Sequence, residues 1–199
     1  IIGMVKEYRS LYGFYSDDLV GDYKQTIERL QKEQRPAIEQ QFSSFGNVLY
    51  SELHDFLNHG HEWIAAYDES LASVHGLDFT DLICGVHRLF QDPVVRERWR
   101  SRYSYISVDE MQDTGVLEYK VLEMLWEGNH VLLCGDYFQT IYEWRGSDPF
   151  RLLKQFDADF KPLKIIFYEN YRSNWTLFTM AFKTLQNMFP DLVGSIYTE

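Results

Sequence analysis

YISVDEMQDT, residues 105–114, is an apolar, strand-like run that ends directly on two adjacent carboxylates, Asp109 and Glu110. A third carboxylate, Asp113, and a hydroxyl, Thr114, follow closely. The aromatic and β-branched residues favour a strand, and the apolar spacing of GVLEYKVLEMLWE, which comes next, favours a helix. The stretch therefore predicts a buried strand that presents acidic side chains at its carboxyl end.

The order of elements after this point indicates the fold class. Two more strand-like runs follow, HVLLC at 130–134 and LKIIFY at 163–168, and a helical pattern precedes each of them. In the second of these helices Asp148 is placed as the N-cap and Pro149 at the first helical position. This alternation predicts a parallel sheet with helical crossovers. From about residue 16 to residue 74 the apolar spacing is helical, so we expect an α/β protein with an all-helical first part.

Composition and charge limit the classes of function. The chain has 199 residues, of which 45% are hydrophobic, and a formal net charge of -11. These values fit a globular protein rather than a uniformly basic nucleic-acid-binding domain, so any DNA contact requires a local groove. Cys84 and Cys134 lie in apolar stretches, which predicts two buried thiols in a reducing compartment. The sequence has no apolar run long enough for a membrane span and no signal-peptide pattern, so we expect a cytoplasmic protein without a membrane partner.

Polar residues follow each of the three predicted strands. Asp109 and Glu110 follow the first, Gly135 and Asp136 the second, and residues 169–172 the third. Ligands of open parallel sheets bind beyond the carboxyl ends of the strands. Two neighbouring carboxylates at such a place can hold Mg²⁺ and take a proton from an attacking water. An isolated pair of this kind more often caps a loop or a helix, so the pair by itself does not decide the function.

Four segments supply the missing context: DFTDLI, VDEMQDT, LCGDYFQTIYEWRGS and NYRS, which begin at residues 78, 108, 133 and 170. In order and in spacing they closely resemble consecutive motifs of UvrD/Rep-type superfamily 1A DNA helicases. The resemblance implies a partial RecA-like P-loop NTPase motor domain, a parallel sheet with flanking helices, together with an all-helical insertion subdomain. It places the insertion at 1–76, the later half of the first RecA-like domain at 77–166 and the start of the second at 167–199.

The resemblance also implies a role for each matching residue of an ATP site. It implies that Asp109 binds the Mg²⁺ of Mg-ATP, and that Glu110 is the second carboxylate on the metal side and activates the attacking water. It implies that Gln139 senses the γ-phosphate and that Arg172 is the arginine that reaches this phosphate. Gln112 and Asp113 resemble residues that link the ATP site to the DNA site. These roles suit the side chains. A neutral amide reports a phosphate without adding charge, and a guanidinium binds phosphate through two hydrogen bonds.

The DNA-binding residues implied by the resemblance lie in IYEWRG. Tyr142 and Trp144 match aromatic residues on which single-stranded bases stack, and Arg145 lies beside them. Stacking contributes about 1 to 3 kcal/mol per base and is tolerant of sequence, as a translocating motor requires. The implied partners are single-stranded DNA and junctions of single- and double-stranded DNA, in repair, replication restart or recombination.

One expected element of such a motor is missing from the sequence. A P-loop ends in Gly-Lys-Ser/Thr, and no glycine of this chain is followed by lysine. We therefore expect a helicase fragment that does not hydrolyse ATP alone and that exposes a sheet edge open to self-association. The alternative is a non-catalytic, Walker-less module that binds DNA or protein. An unrelated Mg²⁺-dependent hydrolase would leave IYEWRG and NYRS unexplained.

Overall fold

The computed structural model describes residues 1–44, 47–48, 50–136, 139–140, 149–167, 169, 171–188 and 190. These residues form an α/β protein in which helices predominate. The chain divides into two compact units, Ile1–Leu153 and Lys154–Glu199. Among the described residues, no helix combines the length and the apolar character that a membrane span requires.

Most regular elements of the described residues are helices, and the strands are short. The helices are α1 (Ile2–Tyr12), α2 (Leu19–Glu33), α3 (Arg35–Gln41), α4 (Tyr50–Ser73), α5 (Phe79–Leu89), α6 (Pro93–Arg100), α7 (Val116–Trp126), α8 (Pro149–Phe160) and α9 (Trp175–Met188). The strands are β1 (Ser43–Ser44), β2 (Asn47–Val48), β3 (Tyr105–Val108) and β4 (His130–Leu133). A short 3₁₀ turn, Met111–Asp113, lies between β3 and α7.

The first part of the chain is built on a helical core. α2 begins at Leu19 because the side chain of Asp18 accepts a hydrogen bond from the backbone of Gly21 and caps the helix. Its apolar residues recur at helical spacing, and Tyr23, Ile27 and Leu30 are buried against α1 and α4. Burying each such side chain contributes about 1.5 to 3 kcal/mol, so this face holds the three helices together. The two-residue strands β1 and β2 pair antiparallel and interrupt a region that the sequence predicts to be all helical.

A buried lysine attaches α1 to the helices that follow it. The Nζ atom of Lys6 lies 2.9 Å from an oxygen of Asp68 and 2.9 Å from an oxygen of Asp78, and it also contacts Asp81. Burial lowers the pKa of Lys6, but the hydrogen bonds to Asp81, Asp68 and Asp78 outweigh burial and raise it above the ordinary value. Asp78 and Asp81 also form the capping box of α5. Lys6 therefore joins α1 to α4 and to the start of α5.

A second polar cluster lies where α1 meets α5. Oγ of Ser10 lies 2.9 Å from Nδ1 of His87, and the hydroxyl of Tyr15 donates to Ser10 over 2.7 Å. Nε2 of Gln91 is 3.3 Å from Nε2 of His87. An amide nitrogen can only donate, so this contact fits a neutral imidazole that accepts at Nε2. Burial lowers the pKa of His87, which agrees with the neutral form.

The two thiols are less buried than the sequence predicts. Cys84 and Cys134 are free cysteines of intermediate burial. Burial raises the pKa of Cys84 to about 12, so this thiol is protonated at neutral pH. The reason for the difference is that each lies in an apolar stretch of which only one face is covered.

The sheet confirms the predicted parallel crossover. β3 and β4 are parallel, with Tyr105 opposite His130 and Val108 opposite Leu133, and α7 connects them. The strands are not buried as expected, because alternate side chains point to opposite faces and one face is open: Tyr105 is 77% exposed. Among the described residues neither strand has a further strand on its other side.

The predicted third strand at 163–168 is wrong over its described part. Residues 161–167 have no regular secondary structure, and Leu163 and Phe167 are each 88% exposed. A strand needs a neighbouring strand to satisfy its backbone hydrogen bonds, and no described segment of the second unit is a strand. α8, by contrast, begins at Pro149 as predicted. Its predicted N-cap, Asp148, lies outside the described residues.

Candidate functional site

The carboxyl ends of β3 and β4 meet at one edge of the first unit. Beyond the two strands, the backbone N–H of Cys134 donates to the carbonyl of Val108 over 2.8 Å. The N–H of Met111 then donates to the carbonyl of Cys134 over 2.9 Å. These bonds extend the strand pairing into the segments that carry the acidic residues. We call the edge formed by residues 109–113, 134–136 and 139 the rim.

The two leading carboxylates of the rim face solvent. Asp109 and Glu110 are both exposed, and Oδ1 of Asp109 accepts a hydrogen bond from the backbone N–H of Glu110 over 3.0 Å. Glu110 has φ 52° and ψ 42°, the left-handed conformation. For a residue with a side chain this conformation costs about 1 to 2 kcal/mol. It turns the chain sharply at the end of β3, so that the 3₁₀ turn Met111–Asp113 follows at once.

Gln112 connects the two strand ends. Its side chain is buried, and its Nε2 donates to Oε2 of Glu110 over 2.6 Å. Its Oε1 accepts from the backbone N–H of Asp136 over 3.0 Å. The side chain lies so close to the chain after β4 that a Cβ atom on Gly135 would be 2.6 Å from Oε1. Only glycine fits at position 135 without displacing this amide.

Gln139 completes the series of contacts. Its Nε2 donates to Oδ2 of Asp136 over 2.9 Å, and its backbone N–H donates to the carbonyl of Asp136 over 3.1 Å. Its side chain is exposed. Hydrogen bonds therefore run from Glu110 through Gln112 to the backbone of Asp136, whose side chain holds Gln139.

The structure brings five of the residues proposed from sequence to this rim: Asp109, Glu110, Gln112, Asp113 and Gln139. Oδ1 of Asp113 is buried and has no hydrogen-bond partner among the described residues. Arg172 is exposed in the second compact unit and is not one of the groups that the first unit brings together. The proposed DNA-binding residues Tyr142, Trp144 and Arg145 lie outside the described residues.

Sequence reasoning missed two members of the rim. The sequence identifies Gly135 and Asp136 only as polar residues that follow the second strand. In the structure the lack of a side chain on Gly135 leaves space for Gln112, and the carboxylate of Asp136 accepts a hydrogen bond from Gln139. The available signal is the Gly-Asp pair directly after an apolar strand. Glycine at such a position often marks a close approach of another group to the backbone.

Comparison with known proteins assigns the family. A family model described as the UvrD/REP helicase N-terminal domain matches residues 15–161, most of the chain. The chain belongs to the UvrD/REP helicase family. The match covers the whole rim of this UvrD/REP helicase chain, as well as α2 to α7.

Several relatives of this UvrD/REP helicase chain are DNA helicases by name. DNA helicase II of Haemophilus influenzae is 34% identical over 143 residues, which are 69% of this chain and 20% of the relative. ATP-dependent DNA helicase Rep of Buchnera aphidicola is 41% identical over 114 residues, 56% of this chain and 17% of the relative. ATP-dependent DNA helicase PcrA of Staphylococcus aureus is 36% identical over 126 residues, 62% of this chain and 17% of the relative. The chain spans a fifth or less of the length of these relatives.

The rim of this UvrD/REP helicase chain has a donor set that fits Mg²⁺ held together with a nucleotide. Mg²⁺ is commonly bound by one or two carboxylates plus phosphate oxygens and water, rather than by a cage of protein ligands. Asp109 and Glu110 offer two exposed carboxylates side by side. Within the described part of the chain no group of three or more His, Cys, Asp or Glu residues could enclose a metal ion. Two adjacent, exposed carboxylates suit a site that is shared with a nucleotide.

Proposed function

We propose that this chain is part of an ATP-dependent DNA helicase and carries half of its nucleotide site. The observation that supports the proposal best is the rim itself, where two exposed carboxylates follow β3 and one of them, Glu110, is joined through Gln112 to the backbone of Asp136 after β4. Strand ends of this type are where open parallel sheets bind ligands. The Rep and PcrA relatives are ATP-dependent DNA helicases by name, which agrees with a nucleotide at this place.

Each residue of the rim has a proposed task. When bound, Mg-ATP supplies the phosphoanhydride bond that breaks and a metal ion that offsets phosphate charge. Asp109 holds the metal side of the nucleotide. Glu110 orients a water molecule and takes its proton. Gln139 donates to the terminal phosphate, and Arg172 is proposed as the arginine that donates two hydrogen bonds to the same group.

The remaining proposals concern DNA and the organisation of the chain. Tyr142 and Trp144 stack on single-stranded bases next to Arg145, so that the parent protein moves along single strands and opens duplex junctions. Residues 1–76 are a helical insertion. Residues 77–166 belong to the later half of a first RecA-like domain, and residues 167–199 are the start of a second. Asp113, whose buried Oδ1 has no hydrogen-bond partner among the described residues, is the acceptor for a group that links the nucleotide site to the DNA-binding residues 142–145.

The test is ATP hydrolysis by the full-length protein that carries this sequence, with and without single-stranded DNA. Glu110→Gln keeps the shape and removes the base, and we expect DNA-stimulated kcat to fall by about 10² to 10⁴-fold. Glu28→Gln makes the same chemical change on an exposed face of α2 and should leave kcat unchanged. Normal hydrolysis by Glu110→Gln would refute the assignment of the rim.

The 199-residue chain by itself gives a second test. It contains no Gly-Lys sequence that could begin the phosphate-binding end of a P-loop, so we expect no appreciable hydrolysis. ATP hydrolysis that depends on Mg²⁺ and disappears in Glu110→Gln would show that the 199 residues suffice for catalysis. The proposal that the chain carries only half of the nucleotide site would then be wrong.

A further inference from the structure

Gln112 differs from the other proposed site residues in its burial. Asp109, Glu110 and Gln139 are exposed, whereas Gln112 is 2% exposed. Both ends of its amide are engaged, at 2.6 Å from Glu110 and at 3.0 Å from the backbone of Asp136. A side chain that is buried and already bonded at both ends of its amide is poorly exposed to bind a nucleotide as well.

The two partners of Gln112 determine the orientation of its amide. The carboxylate of Glu110 only accepts hydrogen bonds, and the backbone N–H of Asp136 only donates. One orientation satisfies both, with Nε2 towards Glu110 and Oε1 towards Asp136, whereas the reversed amide would place like groups together at both ends. A glutamine is therefore required here for its donor, its acceptor and its length.

The space around the amide is as restricted as its hydrogen bonds. A Cβ atom on Gly135 would lie 2.6 Å from Oε1 of Gln112 and 3.2 Å from the backbone nitrogen of Met111. Such separations force a displacement, so position 135 leaves room for the glutamine and for nothing more. This steric fit is independent of the hydrogen bonds and indicates the same fixed position for the side chain.

We infer that Gln112 is a positioning residue that fixes the carboxylate of Glu110 relative to the turn that carries Asp136 and Gln139. This inference rests on the proposed function of Glu110 and Gln139. Through Gln112, a movement of the turn after β4 changes the position of Glu110, so the group that senses phosphate and the group that activates water move together. Gln112 does so without touching the nucleotide.

Two substitutions separate the two hydrogen bonds. Gln112→Glu has nearly the same shape and keeps an acceptor for the N–H of Asp136, but it replaces the donor to Glu110 by a carboxylate oxygen, which repels the Glu110 carboxylate. Gln112→Leu keeps much of the volume and loses both bonds. Gln25→Glu changes the charge in the same way at an exposed position of α2 and serves as the control.

Hydrogen exchange of the 199-residue chain, measured by NMR at the backbone amide of Asp136, tests the geometry without any nucleotide. We expect a protected amide in the wild type and in Gln112→Glu, and exchange faster by roughly tenfold or more in Gln112→Leu. The amides of α2 report whether each variant is folded. Equal exchange of the Asp136 amide in the wild type and in folded Gln112→Leu would overturn the inference.

Kinetics of the full-length protein test the consequence for Glu110. Loss of an outer hydrogen bond that orients an active group typically costs about 10- to 100-fold, so we expect kcat of Gln112→Glu to fall by this factor while KM for ATP stays within about twofold. An unchanged kcat, or a loss expressed in KM alone, would count against positioning. If Glu110→Gln itself keeps normal kcat, the proposed function fails, and the Asp136 amide still decides whether Gln112 fixes the turn.

Discussion

Lys6→Met removes one buried charge and keeps the length of the aliphatic stem. The side chain of Lys6 is 3% exposed, and the three carboxylates around it are 18%, 22% and 21% exposed. Without the ammonium group these carboxylates repel one another and have only partial access to water. Removing one partner from a buried ion pair costs about 3 to 5 kcal/mol.

We expect a loss near the lower end of this range, about 3 kcal/mol in the free energy of unfolding, because water can still reach the three aspartates. For a unit of this size each 1 kcal/mol shifts Tm by about 2 to 4 °C, so Tm should fall by about 6 to 12 °C. Urea and thermal unfolding followed by circular dichroism measure both quantities. Lys24→Met makes the same change at an exposed position of α2 and should cost less than about 0.5 kcal/mol.

The pH dependence distinguishes lost charge pairing from lost packing. Burial raises the pKa of Asp78, but the hydrogen bond from Lys6 and further contacts outweigh burial, and the pKa lies below its ordinary 3.8. The wild type therefore loses this stabilisation as the pH falls below 3.8, whereas in Lys6→Met the hydrogen bond from Lys6 that lowers the pKa of Asp78 is already absent. The difference in the free energy of unfolding between the wild type and Lys6→Met should therefore decrease in acid. A difference below about 1 kcal/mol at neutral pH, or one that stays constant down to about pH 3, contradicts this account.

Three further predictions concern other parts of the first unit. Burial lowers the pKa of His87 below 6.5, so the unfolded chain binds more protons than the folded chain just below this pH. The free energy of unfolding should therefore rise with pH up to about 6.5. His87→Gln should make this rise smaller, as measured by urea unfolding at several pH values. Gly135→Ala should destabilise the chain by about 1 to 3 kcal/mol because its Cβ atom would overlap the amide of Gln112. Gly85→Ala, where a Cβ atom meets nothing within 4 Å, should be stabilising in the same unfolding assay. Among the described residues β3 and β4 each have an unpaired edge, which should allow the 199-residue chain to self-associate. Leu132→Lys, at an exposed position of β4, should lower the association measured by sedimentation, and an unchanged association would contradict a contact at this strand.

Local patterns predict the elements that depend on local interactions. The period of apolar residues in 116–126 indicates α7, and Pro149 marks the start of α8, because both signals act within a turn or two of the chain. The parallel pairing of β3 with β4 follows from the crossover helix between them. These parts of the fold are accessible from the sequence alone.

Elements that depend on distant neighbours are not accessible in the same way. The apolar residues of 163–167 indicate a strand, yet apolar character does not specify which strand lies alongside, and in the second unit no described strand does. Tyr105 likewise suggests a buried strand, but its exposure depends on what covers that face of the sheet. Burial and pairing are properties of the assembled unit.

The candidate site divides along the same line. Asp109 and Glu110 are predictable because a strand period followed by carboxylates locates a strand end. The contact of Gln112 with the backbone of Asp136 spans 24 residues of chain and depends on the register of β3 against β4. A glutamine in sequence carries no mark of its partners, so its place in the rim emerges only from the fold.

The Lys6 cluster has a consequence for the order in which the chain acquires its structure. The hydrogen bond between Lys6 and Asp78 spans 72 residues, so α1 is synthesised long before all the carboxylates that neutralise its ammonium group. Until the start of α5 emerges from the ribosome, Asp78 and Asp81 are not available to pair with Lys6. Burying the ammonium group is then unfavourable, so α1 stays exposed to solvent. Docking of α1 is then a late step with a large loop to close, and its disruption accelerates unfolding more than it slows folding. Although α1 is synthesised before α2 to α5, it would thus be one of the last of these helices to dock.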